Sequence, residues 1–342
     1  MNDQDMLRSH KNIKIFFNYV LGPLLGLWLF YSLYHQVRNQ PHLKESIDLI
    51  KNAPFGNHSI KFWVVILLVS LNWGIEARKW QVLLKNLQSI SFFTAFKAVL
   101  SGLTFSLNTP NRIGEYGGRI LYIDEGNRLS AISLSIAGSI SQLIITLVMG
   151  CGGLFFLIYF QQPDNPTMGL SVFWLKIFSL KILLLFSLIT TAGLVLFYFR
   201  LSWITLFLEK IPKLSRFTRY MAVLEHFTAK VLLRLISLSF FRYMVFVIQY
   251  ILLLQVFEVN ILWIDAFWVI SILFLVLAIV PSFAIADLGI RGKFSTELLN
   301  LYSVNTIGII GTTFGIWLIN LFIPAIVGSL LIFRARIFKN DK

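Results

Sequence analysis

Charge is scarce in this chain. Asp, Glu, Lys and Arg together make up 13% of its 342 residues, and 57% are hydrophobic, whereas a soluble domain carries about 25% charged residues. So little charge cannot cover a water-soluble fold, and an all-α polytopic membrane protein is expected. Cysteine is nearly absent: the single Cys151 excludes an internal disulfide and any cysteine-built zinc cluster. The five histidines, His10, His35, His42, His58 and His226, fall outside the apolar runs with no metal-ligand spacing, so no metal and no cofactor are expected. The P-loop, GxSxG, HExxH and CxxC patterns are missing, which removes the familiar nucleotide, serine and zinc chemistries. No polar stretch reaches domain length, so no soluble catalytic domain is expected. The first apolar segment is long and follows a polar, basic tail, which does not fit a cleavable signal peptide.

Acids are scarcer than bases, 16 against 30, and the formal net charge is +14. In a soluble chain that excess would suggest nucleic acid. Here the basic residues lie between apolar spans, where positive-inside anchoring and anionic lipid headgroups account for them, and no nucleic-acid partner is expected.

What is present is apolar length. Six stretches can cross a bilayer at roughly 20 residues each: residues 15–34, 62–73 with their flanks, 132–160, 182–199, 235–257 and 307–333. The 200–234 connection carries Lys210, Lys213, Arg216, Arg219 and Lys230 against two acids, and the C-terminal tail carries Arg334, Arg336, Lys339 and Lys342. Both are expected on the cytoplasmic side, with both termini, while 161–170 and 258–265, free of Lys and Arg, face outward. Arg38, Lys44, Lys51 and Lys61 in an outer loop run against this scheme and are outvoted by the other loops.

Two further apolar segments break in matching ways. Residues 103–119 read LTFSLNTPNRIGEYGGR, and residues 279–293 read IVPSFAIADLGIRGK. Each has an apolar arm, a proline, a glycine and an acid–arginine set. A broken backbone survives at membrane depth only inside protein or along a wet cavity, and paired breaks in corresponding halves point to a transporter-like binding site. The expected architecture is therefore six full transmembrane helices plus two re-entrant or broken hairpins, about eight hydrophobic segments in one membrane domain over 1–342. It divides into a first half, 1–165, and an inverted second half, 166–342, although two full crossings at the second break satisfy the same parity.

The breaks carry the candidate site. Pro110 suits the opening turn of a helix that Asn108 or Thr109 can cap. Arg112, Glu115 and Arg119 then fall at i, i+3 and i+7 on one face. After the second break, beyond Pro281, Asp287 can cap or pair with Arg291 at i+4. Gly114, Gly117, Gly118 and Gly289 permit close backbone approach. Helix N-termini and guanidinium forks favour phosphate, so Asn108, Arg112, Glu115, Arg119, Asp287 and Arg291 are expected to bind an anionic headgroup. The competing reading pairs Arg112 and Arg119 with Glu115 at the cytoplasmic surface, with an ordinary loop at the break. Arg78 and Trp80, with Glu76, Lys79 and Trp73, read as an interfacial anchor. Gly308, Gly311 and Gly315 read as helix contacts, Asn320 and Pro324 as a kink, and Gln142, Gln249 and Gln255 as interhelical glue.

RKWQVLLKN, NTPNRIGEYGGR and P-x5-DLGIRG occur in that order. Together they resemble the lysylphosphatidylglycerol synthase transmembrane-region family of flippase-like integral membrane proteins. Arg78, Trp80, Asn108, Pro110, Arg112, Gly114, Glu115, Arg119, Pro281, Gly289 and Arg291 match its motifs. A lysine separates Arg78 from Trp80, and Gly292 stands where the late motif usually has glutamate. The resemblance implies the lipid-handling half without the soluble transferase half. It points to a bacterial inner-membrane protein that binds and translocates an anionic or modified phospholipid, partnered by a lipid-modifying enzyme encoded separately. A second reading is a membrane-embedded enzyme of lipid or glycan modification using Glu115 or Asp287 as acid–base, and a third is a lipid-binding structural partner. No enzymatic activity of the chain alone is expected.

Overall fold

The computed structural model describes residues 43–107, 109, 112–160, 170–200, 220–225, 227–280 and 287–334, together with residue 31. The regular elements among them are all helical: α1 (Leu43–Asn52), α2 (Ser59–Leu84), α3 (Phe92–Ser106), α4 (Gly114–Ile120), α5 (Arg128–Tyr159), α6 (Leu170–Phe199), α7 (Ala229–Val256), α8 (Trp263–Ile279), α9 (Asp287–Leu299), α10 (Thr306–Trp317) and α11 (Ile323–Arg334). Helices are what lipid demands, because each backbone donor and acceptor must be satisfied within its own segment. Among the described residues, five helical stretches are long and apolar enough to cross: Ser59–Leu84, Glu125–Tyr159, Ser179–Phe199, Ala229–Val256 and Thr306–Ile332. The sixth expected span, 15–34, lies outside the described residues except at its Tyr31, as do the loop 161–169 and most of the 200–234 connection.

The two broken segments give the two short apolar helices, α3 of 15 residues and α8 of 17. Ser91 starts α3 by accepting the Thr94 N–H at 3.1 Å. The chain then turns, and α4 lies back along α3. Glycine makes this approach possible: a Cβ on Gly118 would sit 2.5 Å from the Ser101 carbonyl, and one on Gly114 would sit 2.5 Å from that of Phe105. The pair is fastened to the distant end of the chain, where Thr104 Oγ1 donates to the Ala325 carbonyl at 2.8 Å. Helix α8 packs on α5 through a second small-residue face, with Gly150 and Gly153 against Leu275 and Trp268. Gly308, Gly311 and Gly315 of α10 receive Phe257, Leu49 and Leu253, the helix contacts their spacing suggests.

Two glycine expectations need correction. Among the described residues, a Cβ on Gly117 or on Gly289 would meet nothing within 4 Å, so neither makes the expected close approach to them. The contrast can be tested by thermal unfolding in detergent. Gly118→Val is expected to cost about 1–3 kcal/mol through overpacking, whereas Gly117→Ala stays within about 0.5 kcal/mol of the parent.

The last span is interrupted by a wide π turn at Leu318–Phe322, just before Pro324. Proline has no N–H to return to the carbonyl four residues back, which belongs to Asn320. That carbonyl accepts the Trp73 indole N–H instead, at 3.2 Å. The expected kink is thus a π turn, repaired from α2.

Candidate functional site

Helix α2 buries Asn72, Trp73, Glu76, Ala77, Lys79, Trp80, Leu83 and Leu84, a stripe at helical spacing whose charged members belong to the protein interior. Glu76 is 3% exposed and Lys79 is 2% exposed. A lone carboxylate here would be very costly to bury, and Glu76 is surrounded by cations. Its Oε2 lies 2.9 Å from Lys79 Nζ and 3.2 Å from Arg242 Nη1, and its Oε1 accepts from Arg119 Nη2 at 2.6 Å. Arg119 is also paired with Glu115, one turn earlier on α4, and lies over the Trp80 ring at 5.3 Å. Arg242, from the middle of α7, donates Nε–H to Asn72 Oδ1 at 2.9 Å and lies 5.2 Å from the Trp73 ring centre. Lys79 also donates to the Gly138 carbonyl at 3.3 Å and to Ser239 Oγ at 3.5 Å. One network therefore ties α2, α4, α5 and α7 together, with three cations (Lys79, Arg119, Arg242) against two carboxylates (Glu76, Glu115).

Arg242 opens from this network onto a cavity of about 460 Å³, within the range of roughly 300–1,000 Å³ for small-molecule sites. Arg112 and Arg291 line the same cavity, one from the first break and one from α9. Gln142, Thr146, Tyr243, Tyr250 and Thr313 complete its polar part, and Phe246, Leu273, Phe274, Leu277, Ile316 and Leu321 form an apolar wall. Tyr250 and Ser295 both hydrogen-bond Thr313 at 2.7 Å, fixing that side. Trp317 also lines the cavity and is 1% exposed. Its indole N–H and the Gln142 Oε1 have no hydrogen-bond partner among the described residues. A space of this kind suits an amphiphile, with an oxyanion toward the guanidinium groups and a hydrocarbon along the wall.

The expected site residues divide in two. Arg112 and Arg291 reach the cavity from the two breaks. Glu115 and Arg119 do not line it; they belong to the buried network. The proposed i, i+3, i+7 face is corrected, because α4 begins only at Gly114 and Arg112 precedes it with φ 59°, a left-handed conformation that side chains disfavour. Thr109, not the paired acid, organises this turn: its Oγ1 accepts the Gly114 N–H at 2.8 Å and donates to the Phe105 carbonyl at 3.1 Å. Arg112 is thus aimed by a turn rather than by a helical register. The Arg112–Glu115 pairing gives way to Arg119–Glu115. Asn108, Pro110 and Pro281 lie outside the described residues, and so does the side chain of Asp287, whose backbone opens α9.

The interfacial-anchor reading also needs correction. Arg78 is exposed and donates to Gln81 at 2.9 Å, but Trp80 is 0% exposed and packs under Arg119. Arg242 was not singled out from sequence, although an arginine within SFFRYMVF is the signal that finds it. Of the glutamines, Gln249 donates to the Val65 carbonyl at 3.0 Å as interhelical glue, and Gln142 bridges to Ser239 while lining the cavity.

A comparison with family-level sequence profiles matches residues 19–334 to the lysylphosphatidylglycerol synthase TM region. Searches of curated proteins and of solved structures returned no significant match. With nearly its whole length matched and helices that span a membrane, the chain belongs to the lysylphosphatidylglycerol synthase TM region family.

Proposed function

We propose that this protein binds the headgroup of an anionic or modified phospholipid in the arginine-lined cavity and moves the lipid between the leaflets of a bacterial inner membrane. The observation supporting this reading is the meeting of Arg112, Arg242 and Arg291 with an apolar wall in one cavity. Arginine is the side chain best shaped for bidentate phosphate contacts, and the network behind Arg242 carries one more cation than carboxylates. In this proposal the chain is one membrane domain of two inverted halves, 1–165 and 166–342. The α3–α4 and α8–α9 pairs are its re-entrant hairpins, and the 15–34 segment supplies a sixth span. The chain acts without catalysis of its own, beside a lipid-modifying enzyme encoded separately. Glu115, one of the two acid–base candidates of the enzymatic reading, is engaged by Arg119 and stands off the cavity; the side chain of the other, Asp287, lies outside the described residues.

Two experiments test the proposal. Native mass spectrometry of the protein released from detergent should retain phosphatidylglycerol in preference to phosphatidylcholine; equal retention counts against an anionic site. Orientation is checked with a single cysteine at position 214 in a Cys151→Ser background. An impermeant thiol reagent applied from outside should leave it unlabelled, and labelling would overturn the cytoplasmic placement of that loop and of the termini.

A further inference from the structure

Arg242 sits midway along a 28-residue apolar helix, where a cation is costly and survives by pairing or by serving a ligand. It is held on three sides. Asn72 Oδ1 takes its Nε–H at 2.9 Å, Glu76 Oε2 lies 3.2 Å from Nη1, and the Trp73 ring lies 5.2 Å away. The holders are themselves held: Asn72 Nδ2 donates to Asn320 Oδ1 at 3.4 Å, and Trp73 donates to the Asn320 carbonyl in the π turn. Its guanidinium therefore has a fixed orientation at the cavity wall, with a side chain still 16% exposed.

Glu76 cannot neutralise Arg242 alone, because Lys79 and Arg119 draw on the same carboxylate. Glu115 offsets one of the three cations, and among the described residues one positive charge of this network is left over. Burial makes that surplus expensive, and the end of the network facing the cavity is Arg242. A monoanion entering there offsets the surplus of this network. A zwitterionic headgroup does not, since its ammonium restores the excess.

We propose that Arg242 is a headgroup-binding residue that selects anionic over zwitterionic phosphate headgroups, with Asn72, Glu76 and Trp73 as its positioning residues. This rests on the lipid-binding reading above and adds the source of its charge selectivity. The neighbouring Ser239, Ser141 and Lys79 contacts do not supply an alternative role, because Lys79 is ion-paired to Glu76.

The test measures binding of short-chain phosphatidylglycerol and phosphatidylcholine to the full-length protein in detergent, with inorganic phosphate and glycerol 3-phosphate as soluble competitors. Arg242→Gln keeps an amide donor for Asn72 and removes the charge. It is expected to weaken phosphatidylglycerol binding about tenfold or more and to leave phosphatidylcholine binding unchanged. Asn72→Ala should weaken phosphatidylglycerol binding less, and Arg242→Lys should restore only part of it because the fork is lost. If Arg242→Gln does not fold, the Asn72→Ala and Arg242→Lys results decide. Equal loss for both lipids, or a fall in unfolding temperature with unchanged binding, overturns the assignment and leaves Arg242 structural. If Arg112→Ala and Arg291→Ala weaken phosphatidylglycerol binding while Arg242→Gln does not, this inference fails and the lipid site stands. If none of the three changes it, both fail. Displacement of the lipid by inorganic phosphate at equal concentration would make the ligand a free phosphate and overturn the lipid assignment.

Discussion

Glu76→Gln is expected to destabilise the protein by about 3–5 kcal/mol, the cost of removing one member of a buried charge cluster while its partners stay. The replacement keeps the volume and loses the charge. Lys79, Arg119 and Arg242 would then share an interior site with only Glu115, which is paired with Arg119 alone among them. Lys79 and Arg119 are 2% and 3% exposed and cannot recover hydration without opening the contacts among α2, α4 and α7. A second change separates charge from shape: Glu76→Gln combined with Arg242→Gln removes one of each sign and should recover part of the loss. A double-mutant cycle of urea or thermal unfolding in detergent measures the coupling. Additive effects of the two changes would show that the ion pairs do not act as one network.

Arg112→Ala and Arg291→Ala are each expected to weaken anionic-lipid binding by about tenfold or more. The reason is the loss of a charge-assisted hydrogen bond worth roughly 1.5–3 kcal/mol. Lysine at either position should rescue in part, since it supplies the charge without the planar fork. Arg112 offers a sharper control because its φ of 59° costs a non-glycine residue roughly 1–2 kcal/mol. Arg112→Gly relieves that backbone cost while deleting the guanidinium, so stability should hold or rise as binding falls. Stability and binding falling together would instead assign Arg112 a structural role in the turn.

The sequence made the membrane class, five of the spans and the two breaks legible, because lipid forces long apolar runs and penalises interruptions. Arg112 and Arg291 were legible for the same reason, each being an arginine beside a broken apolar arm. The partners of the charges were not. Hydropathy places Glu76, Lys79 and Trp80 near a span end and so suggests an interface, whereas packing of α4 and α7 over α2 puts them inside. Spacing alone puts Arg112 on the face of Glu115, but the Thr109 turn delays the helix to Gly114 and hands Glu115 to Arg119. Arg242 depends on contacts across 170 positions of sequence to Asn72, which no local periodicity reveals. The Trp73 repair of the π turn is likewise a tertiary answer to a local signal, the missing N–H of Pro324.

Whether the arginine-lined cavity carries an anionic phospholipid across the bilayer is tested by reconstitution into liposomes with acyl-chain-labelled phosphatidylglycerol. An impermeant quencher reports the label in the outer leaflet. Wild-type protein should expose label beyond the outer-leaflet share, Arg112→Ala and Arg291→Ala should slow this exposure, and labelled phosphatidylcholine should stay protected. Protection of phosphatidylglycerol equal to that in protein-free liposomes, with the lipid nonetheless bound by the purified protein, would contradict it and leave a protein that holds the lipid without moving it.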